Sequence, residues 1–341
     1  MSGMNQKLYK WLFAVVLLTT LVIAGCSGKG GDAMIKSAEG DIQLTVGADW
    51  KTDLKLNPNA KLSAGNPGKE QYVIVVTNSK SDMSDGATLD DFKQLFIANT
   101  EVMAKNLKEI ETKDITIDSV PAKQVEFTAE ASNIKAHYLA FLLGKGNTFY
   151  QIVTYSTESK FAGNKEEFLK VGQSFKVLKE SAAPHAAPKS ESKGEPTVFA
   201  SDDKAMKITL PAGWKKETEL NDVAQIQASL AAEDKWMLII GEDKNSFAKD
   251  MTLKDYYDII VENNFSVLEN ATISEPQPIE VGGFPALQTE IQGEMSKVKV
   301  AYLLTIVQSP KQFTQIMFWT GQQKMDQSRD TFIEAVKTYK E

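Results

Sequence analysis

The chain has 341 residues, 42% of them hydrophobic and 24% charged, a length that suits two domains and a composition ordinary for folded protein. Its net charge of −7 argues against a nucleic-acid partner, which requires a basic patch or stripe. The one cysteine excludes an internal disulfide framework, and the one arginine, Arg329, leaves little for forked recognition of carboxylates or phosphates.

In chain order, Lys7 and Lys10 come first, then an almost unbroken apolar run over residues 11–23, then Ala24, Gly25 and Cys26. Basic, apolar and small residues in that order predict a cleaved signal peptide over residues 1–25. The run falls short of the roughly 20 residues that span a bilayer. The tetrad Ile23-Ala24-Gly25-Cys26 resembles the lipobox of bacterial lipoproteins. The resemblance implies that the Cys26 sulfur takes a diacylglyceryl group and that Cys26 becomes the first residue of the mature protein. The lipid bilayer is then a partner, through acyl chains such as palmitate, and the expected location is the extracytoplasmic face of the cell membrane. Ser27 stands where some Gram-negative bacteria place an aspartate that retains lipoproteins at the inner membrane, so an outer-membrane location is open where such a membrane exists. Residues 26–38 are expected to be a tether.

Beyond the tether the sequence repeats. Trp50 matches Trp214, Thr88-Leu89 matches Thr252-Leu253, Pro121-Ala122 matches Pro285-Ala286, Tyr138-Leu139 matches Tyr302-Leu303, and Lys176 matches Lys340. The separation is 164 residues in every pair, as 214 − 50 and 340 − 176 both show. One offset across a whole half marks a tandem duplication without insertions. The expected domains are residues 39–180 and 197–341. The segment 181–196 between them has three prolines and no large apolar residue, and it predicts a flexible linker.

Within one unit, Ile42, Leu44 and Val46 alternate as in a strand with one buried face, and Met206, Ile208 and Leu210 repeat this. Residues 72–76 and 236–240 are continuous apolar runs, expected to be central strands covered on both sides. Thr88 with Asp91, and Thr252 with Asp255, have capping-box spacing. Phe92, Leu95, Phe96, Met103 and Leu107 then follow helical periodicity, as do Tyr256, Ile259, Ile260 and Val267. Strand signals at residues 115–117, 124–128, 134–143 and 148–155 are separated by short turns, which predicts antiparallel hairpins. A closing helix is expected over residues 165–176, with Phe168, Val171 and Phe175 inward. The fold class is therefore α+β, two tandem copies of an antiparallel sheet flanked by helices.

The opening strand ending in Pro211-Ala212-Gly213-Trp214, the Thr-Leu-x-Asp helix start and the Pro-Ala hairpin resemble the Mog/PsbP-like superfamily, an α/β/α sandwich that includes bacterial DcrB-like lipoproteins. The resemblance covers both halves. The first half departs from it with Gly47 and Asp49 where the second has Pro211 and Gly213. It implies a non-enzymatic binding or assembly role.

The residues themselves offer little chemistry. His185 falls in the linker, and His137 sits on a strand where the other copy has Ala301. No His, Asp and Glu cluster has zinc-ligand spacing, no glycine-rich phosphate loop follows a strand, and Asp82, Asp85 and Gly86 lack the terminal glutamate of a calcium loop. No catalytic residue, cofactor or metal is expected. Trp50, Trp214, Trp236 and Trp319 are expected in the core. Polar residues shared by both copies include Gln124 and Glu126 with Gln288 and Glu290, Glu130 and Lys135 with Glu294 and Lys299, and Gln151 with Gln315. Gln124 and Glu126 alternate with Val125 and Phe127, which places them on the face away from the core. Gln124, Glu126, Gln288 and Glu290 are thus the candidate binding face, for an envelope protein or a small ligand. The alternative functions are a solute-binding lipoprotein of a transporter and, further off, a hydrolase.

Overall fold

The computed structural model describes residues 31–341 apart from 53, 58, 132, 133 and 181–193. Cys26 and most of the expected linker lie outside the described residues. The remainder forms two sheet-rich units, and each is α+β.

The first unit begins with β1 (Asp32–Lys36) and β2 (Ile42–Gly47), then β3 (Lys51–Thr52), β4 (Leu62–Asn66) and β5 (Gln71–Ser79). Helix α1 (Leu89–Met103) follows, then β6 (Lys105–Ile117), β7 (Val120–Ala131), β8 (Ile134–Lys145), β9 (Thr148–Thr157), α2 (Glu158–Gln173) and β10 (Lys176–Val177). The main sheet runs β3-β4-β5-β9-β8-β7-β6, and a small sheet runs β1-β2-β10. The second unit repeats this with β11 (Thr197–Ala200), β12 (Lys207–Leu210), β13 (Lys215–Lys216), β14 (Ile226–Leu230), β15 (Lys235–Asp243), α3 (Leu253–Phe265), β16 (Glu269–Ile273), β17 (Gln277–Val281), β18 (Phe284–Met295), β19 (Val298–Gln308), β20 (Gln312–Gly321) and α4 (Met325–Lys337). Its main sheet runs β13-β14-β15-β20-β19-β18-β16, with β17 also on β18, and β11 pairs with β12. The equivalence extends to single bridges: Gln43 opposite Lys176 in one unit matches Lys207 opposite Lys340 in the other.

Side-chain alternation gives each sheet two buried faces. In the first unit Val73, Val75, Leu139, Phe141, Leu143 and Ile152 pack with β2 and with Phe161, Phe168 and Val171 of α2. The opposite face carries Ile74, Phe127, Tyr138, Phe149 and Val153, covered by Phe92, Leu95 and Phe96 of α1. Phe92 stacks on Phe149 with ring centroids 4.3 Å apart, and the equivalent Tyr256 stacks on Phe313 at 4.4 Å. Both capping boxes form: Thr88 accepts from the Asp91 N–H while the Asp91 carboxylate takes the Thr88 N–H, and Thr252 and Asp255 do the same. The four tryptophans outside the signal segment are all buried.

Four expectations need correction. The tether assigned to residues 26–38 is too long, because Asp32–Lys36 form β1 on β2, with Ala33 and Ile35 packed on the core. A hairpin turn with Gly40 in the left-handed region joins the two strands. Leu107 and Val267 do not extend their helices. α1 ends at Met103, where Ala104 turns extended, and Leu107 belongs to β6; Val267 lies beyond the end of α3 and is exposed. β6 is ten residues longer at its start than the expected strand, which began at Ile115. It lies at the sheet edge and is exposed along most of its length, so its Lys and Glu residues show no apolar alternation, and those charges blunt the edge. The closing helix also starts earlier than expected, at Glu158.

Candidate functional site: a groove repeated in both units

Gln124 and Glu126 do share one face of β7, but that face is closed. They lie on the side covered by α2, and Gln124 is 6% and Glu126 5% exposed. The Glu126 carboxylate accepts from Lys165 Nζ at 2.6 Å and pairs with His137 Nε2 at 3.0 Å. The second unit keeps the arrangement: Glu290 accepts from Arg329 Nε at 2.7 Å and Nη2 at 3.2 Å, and Arg329 stands 164 residues after Lys165. Gln288 donates to Thr305 Oγ1 at 2.8 Å. Glu126 and Glu290 tie the sheet to its closing helix, and the expected solvated face is buried at Gln124 and Glu126 and half-buried at Gln288 and Glu290. Periodicity separated the two faces correctly and could not say that a helix would cover both.

The electrostatics follow from burial. Desolvation pushes the Glu290 carboxyl up, but the hydrogen bonds from Arg329 and Gln292 together with the Arg329 charge hold its pKa below the usual carboxylate value. The His137 imidazole pKa is also lowered from its ordinary value, which for a base disfavours the charged form: burial, aided by the Lys165 ammonium, prevails over the Glu126 carboxylate, which raises it. Its ring stacks on Phe161 with centroids 3.5 Å apart. In the hydrogen bond to the Glu126 carboxylate, an acceptor, His137 donates its Nε2–H. Ser156 lies directly across from His137 in the ladder, which brings together the residue types of a Ser-His-Glu set. The Ser156 hydroxyl is buried and donates to the Thr157 carbonyl at 3.0 Å, not to the imidazole. Gln151 and Gln315 are buried on the other face of their sheets. Gln151 donates to Asn78 at 2.7 Å, while Gln315 donates to Glu242 at 3.1 Å and to the Tyr256 hydroxyl at 2.9 Å. Glu130 and Lys135 stand opposite each other in register, as do Glu294 and Lys299. Among the described residues no group of three or more His, Cys, Asp or Glu side chains is placed to hold a metal ion.

The open features lie elsewhere, between the small sheet and the nearer edge of the main sheet. In the second unit a groove of about 330 Å³ is lined by all four residues of β11, by Trp214, by Lys216 of β13 and by Ile226 of β14. In the first unit a smaller concavity of about 130 Å³ is lined by Ile35 and Lys36 of β1, Thr52 of β3, and Lys61, Leu62 and Ser63. The offset of 164 superposes Ile35 on Phe199, Lys36 on Ala200, Thr52 on Lys216 and Leu62 on Ile226, so both concavities occupy one position in the repeat. Beside each, the edge strand turns an aliphatic side chain outward at the same register: Met34 is 71% and Val198 60% exposed. Trp214 is buried, and its indole N–H has no acceptor. Sequence reasoning missed this site because it placed β1 in the tether. The signal was present in the repeat: Thr197, where the second unit starts, maps to Ala33.

Among family models, the one described as PsbP matches residues 39–177. No curated protein matches the chain. Among solved structures, the cyanobacterial PsbP (CyanoP) of Synechocystis sp. PCC 6803 is similar at 16% identity, covering 46% of this chain and 98% of its own, with a TM-score of 0.36. LpqN of Mycobacterium tuberculosis, described as involved in cell envelope biogenesis, is similar at 12% identity over 42% of this chain and 89% of its own, with a TM-score of 0.33. The immunity protein TplEi of the Pseudomonas aeruginosa T6SS is similar at 8% identity over 91% of this chain and 97% of its own, with a TM-score of 0.27.

Proposed function

We propose that this protein is an extracytoplasmic lipoprotein, tethered to the membrane through acylated Cys26, whose two PsbP-like units bind a partner in the cell envelope and catalyse no reaction. The observation that carries the binding role is the repetition of one surface feature: a groove beside an edge strand with an exposed aliphatic residue, Met34 in one copy and Val198 in the other. Ordinary protein surface has no need to keep an outward apolar residue on a free strand edge, and natural edges are usually blunted with charge. The tether supports itself on the residues around Cys26, since two or more acyl chains give stable attachment at roughly 0.8 kcal/mol per buried methylene. Two units joined by a polar, proline-containing segment gain from effective concentration where a partner offers two sites.

The test uses cells producing the full chain. Mass spectrometry of the mature protein is expected to find an acylated cysteine at the N-terminus, and a photo-crosslinking residue at position 34 or 198 is expected to capture one and the same partner. A mature chain that starts at Met1 with a free thiol overturns the tether. Crosslinks that form equally well from the outer faces of α1 and α3 overturn the groove as the binding site.

A further inference from the structure

We infer, resting on the binding role above, that the groove of the second unit takes an extended peptide strand. The strand adds to the free edge of β11, with an apolar side chain against Val198 and the Trp214 ring and an acidic residue beside Lys216. Four observations converge. β11 pairs with β12 alone among the described residues, so its outer edge offers the unpaired N–H and C=O groups that strand addition uses. All four β11 residues line the groove, which places that strand along the docked segment. Val198 projects outward from it and is the side chain an alternating peptide would cover. Trp214 forms a wall of the groove and is itself buried, an aromatic surface for the side chain of a docked strand.

Charge sets the flanking residue. Lys215 and Lys216, the whole of β13, are exposed, and Lys216 Nζ reaches Asp202 at 3.3 Å in a pair that is itself open to solvent. An acidic side chain on the incoming strand competes for that ammonium at little cost. The volume of about 330 Å³ sits at the small end of ligand pockets and suits one or two side chains rather than a large cofactor. The first unit is not equivalent in this respect. Its concavity is smaller, and Lys36 and Lys61 replace Ala200 and Gln225. The strand site is therefore assigned to the second copy, which the duplication has left free to diverge.

The probe is a random linear peptide library displayed on phage, selected against the full mature chain and, in parallel, against Val198→Lys. The wild type is expected to enrich peptides that alternate apolar and polar residues and carry Asp or Glu. Val198→Lys, with an unchanged melting temperature, is expected to lose that enrichment, while Met34→Lys keeps it. An enriched peptide, synthesised and titrated, should shift the Trp214 indole resonance, protect β11 amides from hydrogen exchange, and weaken at least tenfold when alternate backbone amides are N-methylated. Lys216→Glu should remove the acidic preference. Absence of enrichment above the Val198→Lys background overturns the inference, as does affinity indifferent to N-methylation. Photo-crosslinks from position 198 that persist in cells while the library fails leave the binding role standing and sink strand docking alone.

Discussion

Gly172 on α2 offers a sharp test of how the first unit is packed. A Cβ at this position would lie 2.0 Å from Cε2 and 2.2 Å from Cδ2 of Phe141, inside the core cluster. Carbon atoms pack at about 3.5–4.0 Å, so Gly172→Ala forces helix or ring to move by more than about 1 Å in a region with no free volume. Helix propensity favours alanine by about 1 kcal/mol. Overpacking costs about 1–3 kcal/mol, and a contact this short belongs at the upper end. The net expectation is a loss of about 2 kcal/mol, which lowers the Tm of a unit this size by roughly 7 °C. The second unit solves the same packing problem in reverse: Val336 stands at the Gly172 position and Thr305 at the Phe141 position, both buried. Transplanting that pair as Gly172→Val with Phe141→Thr should therefore be far better than the sum of the single changes, with a coupling of about 1–3 kcal/mol. The new hydroxyl would face Gln124, as Thr305 faces Gln288. Scanning calorimetry of the full chain, with hydrogen exchange to assign the transition that moves, reads both results. A Gly172→Ala variant as stable as the parent, or strictly additive single and double variants, would refute the close approach of α2 to the sheet.

Three further outcomes are expected. Thr88→Ala and Thr252→Ala should each cost about 1 kcal/mol through loss of the capping box, seen as faster amide exchange in the first turn of α1 or α3. Because burial depresses His137, its contribution to stability is present above the ordinary imidazole pKa and is lost as pH falls through the lower folded value. His137→Ala, which copies Ala301 of the second unit, should therefore flatten the drop in first-unit Tm between about pH 7 and about pH 5; an unchanged drop contradicts this. Glu290 is also depressed, so the stability it gives holds above the usual glutamate pKa and disappears as pH falls below it. Arg329→Gln should lower the Tm of the second unit at neutral pH and reduce its sensitivity in the acid range, measured by thermal melts from about pH 6 down to about pH 3.

The legible parts of the fold were those written in local chemistry. Thr88 and Asp91 stand three residues apart, and the capping box forms at that spacing. The run from Tyr72 to Val76 is apolar because helices and the small sheet cover both faces, and it became a central strand. The candidate site was less legible. Glu126 looked free because its partner, Lys165, lies 39 residues away on a helix that closes over it. β6 looked like the end of a helix and a loop because an edge strand exposed on both faces carries no apolar alternation. Met34 looked like tether because its outward position is the polar half of a two-residue period, and the residue there is not polar.

By itself the sequence determined the duplication, the α+β class and the lipobox-like start, since these rest on residue order and short-range periodicity. Only the tertiary structure decided which faces are covered, which charges pair across the sheet, and that one groove recurs beside β1 and β11. The physical reason is that burial belongs to pairs of elements far apart in the chain: a face is open or closed according to what packs on it, and no spacing within a strand encodes that.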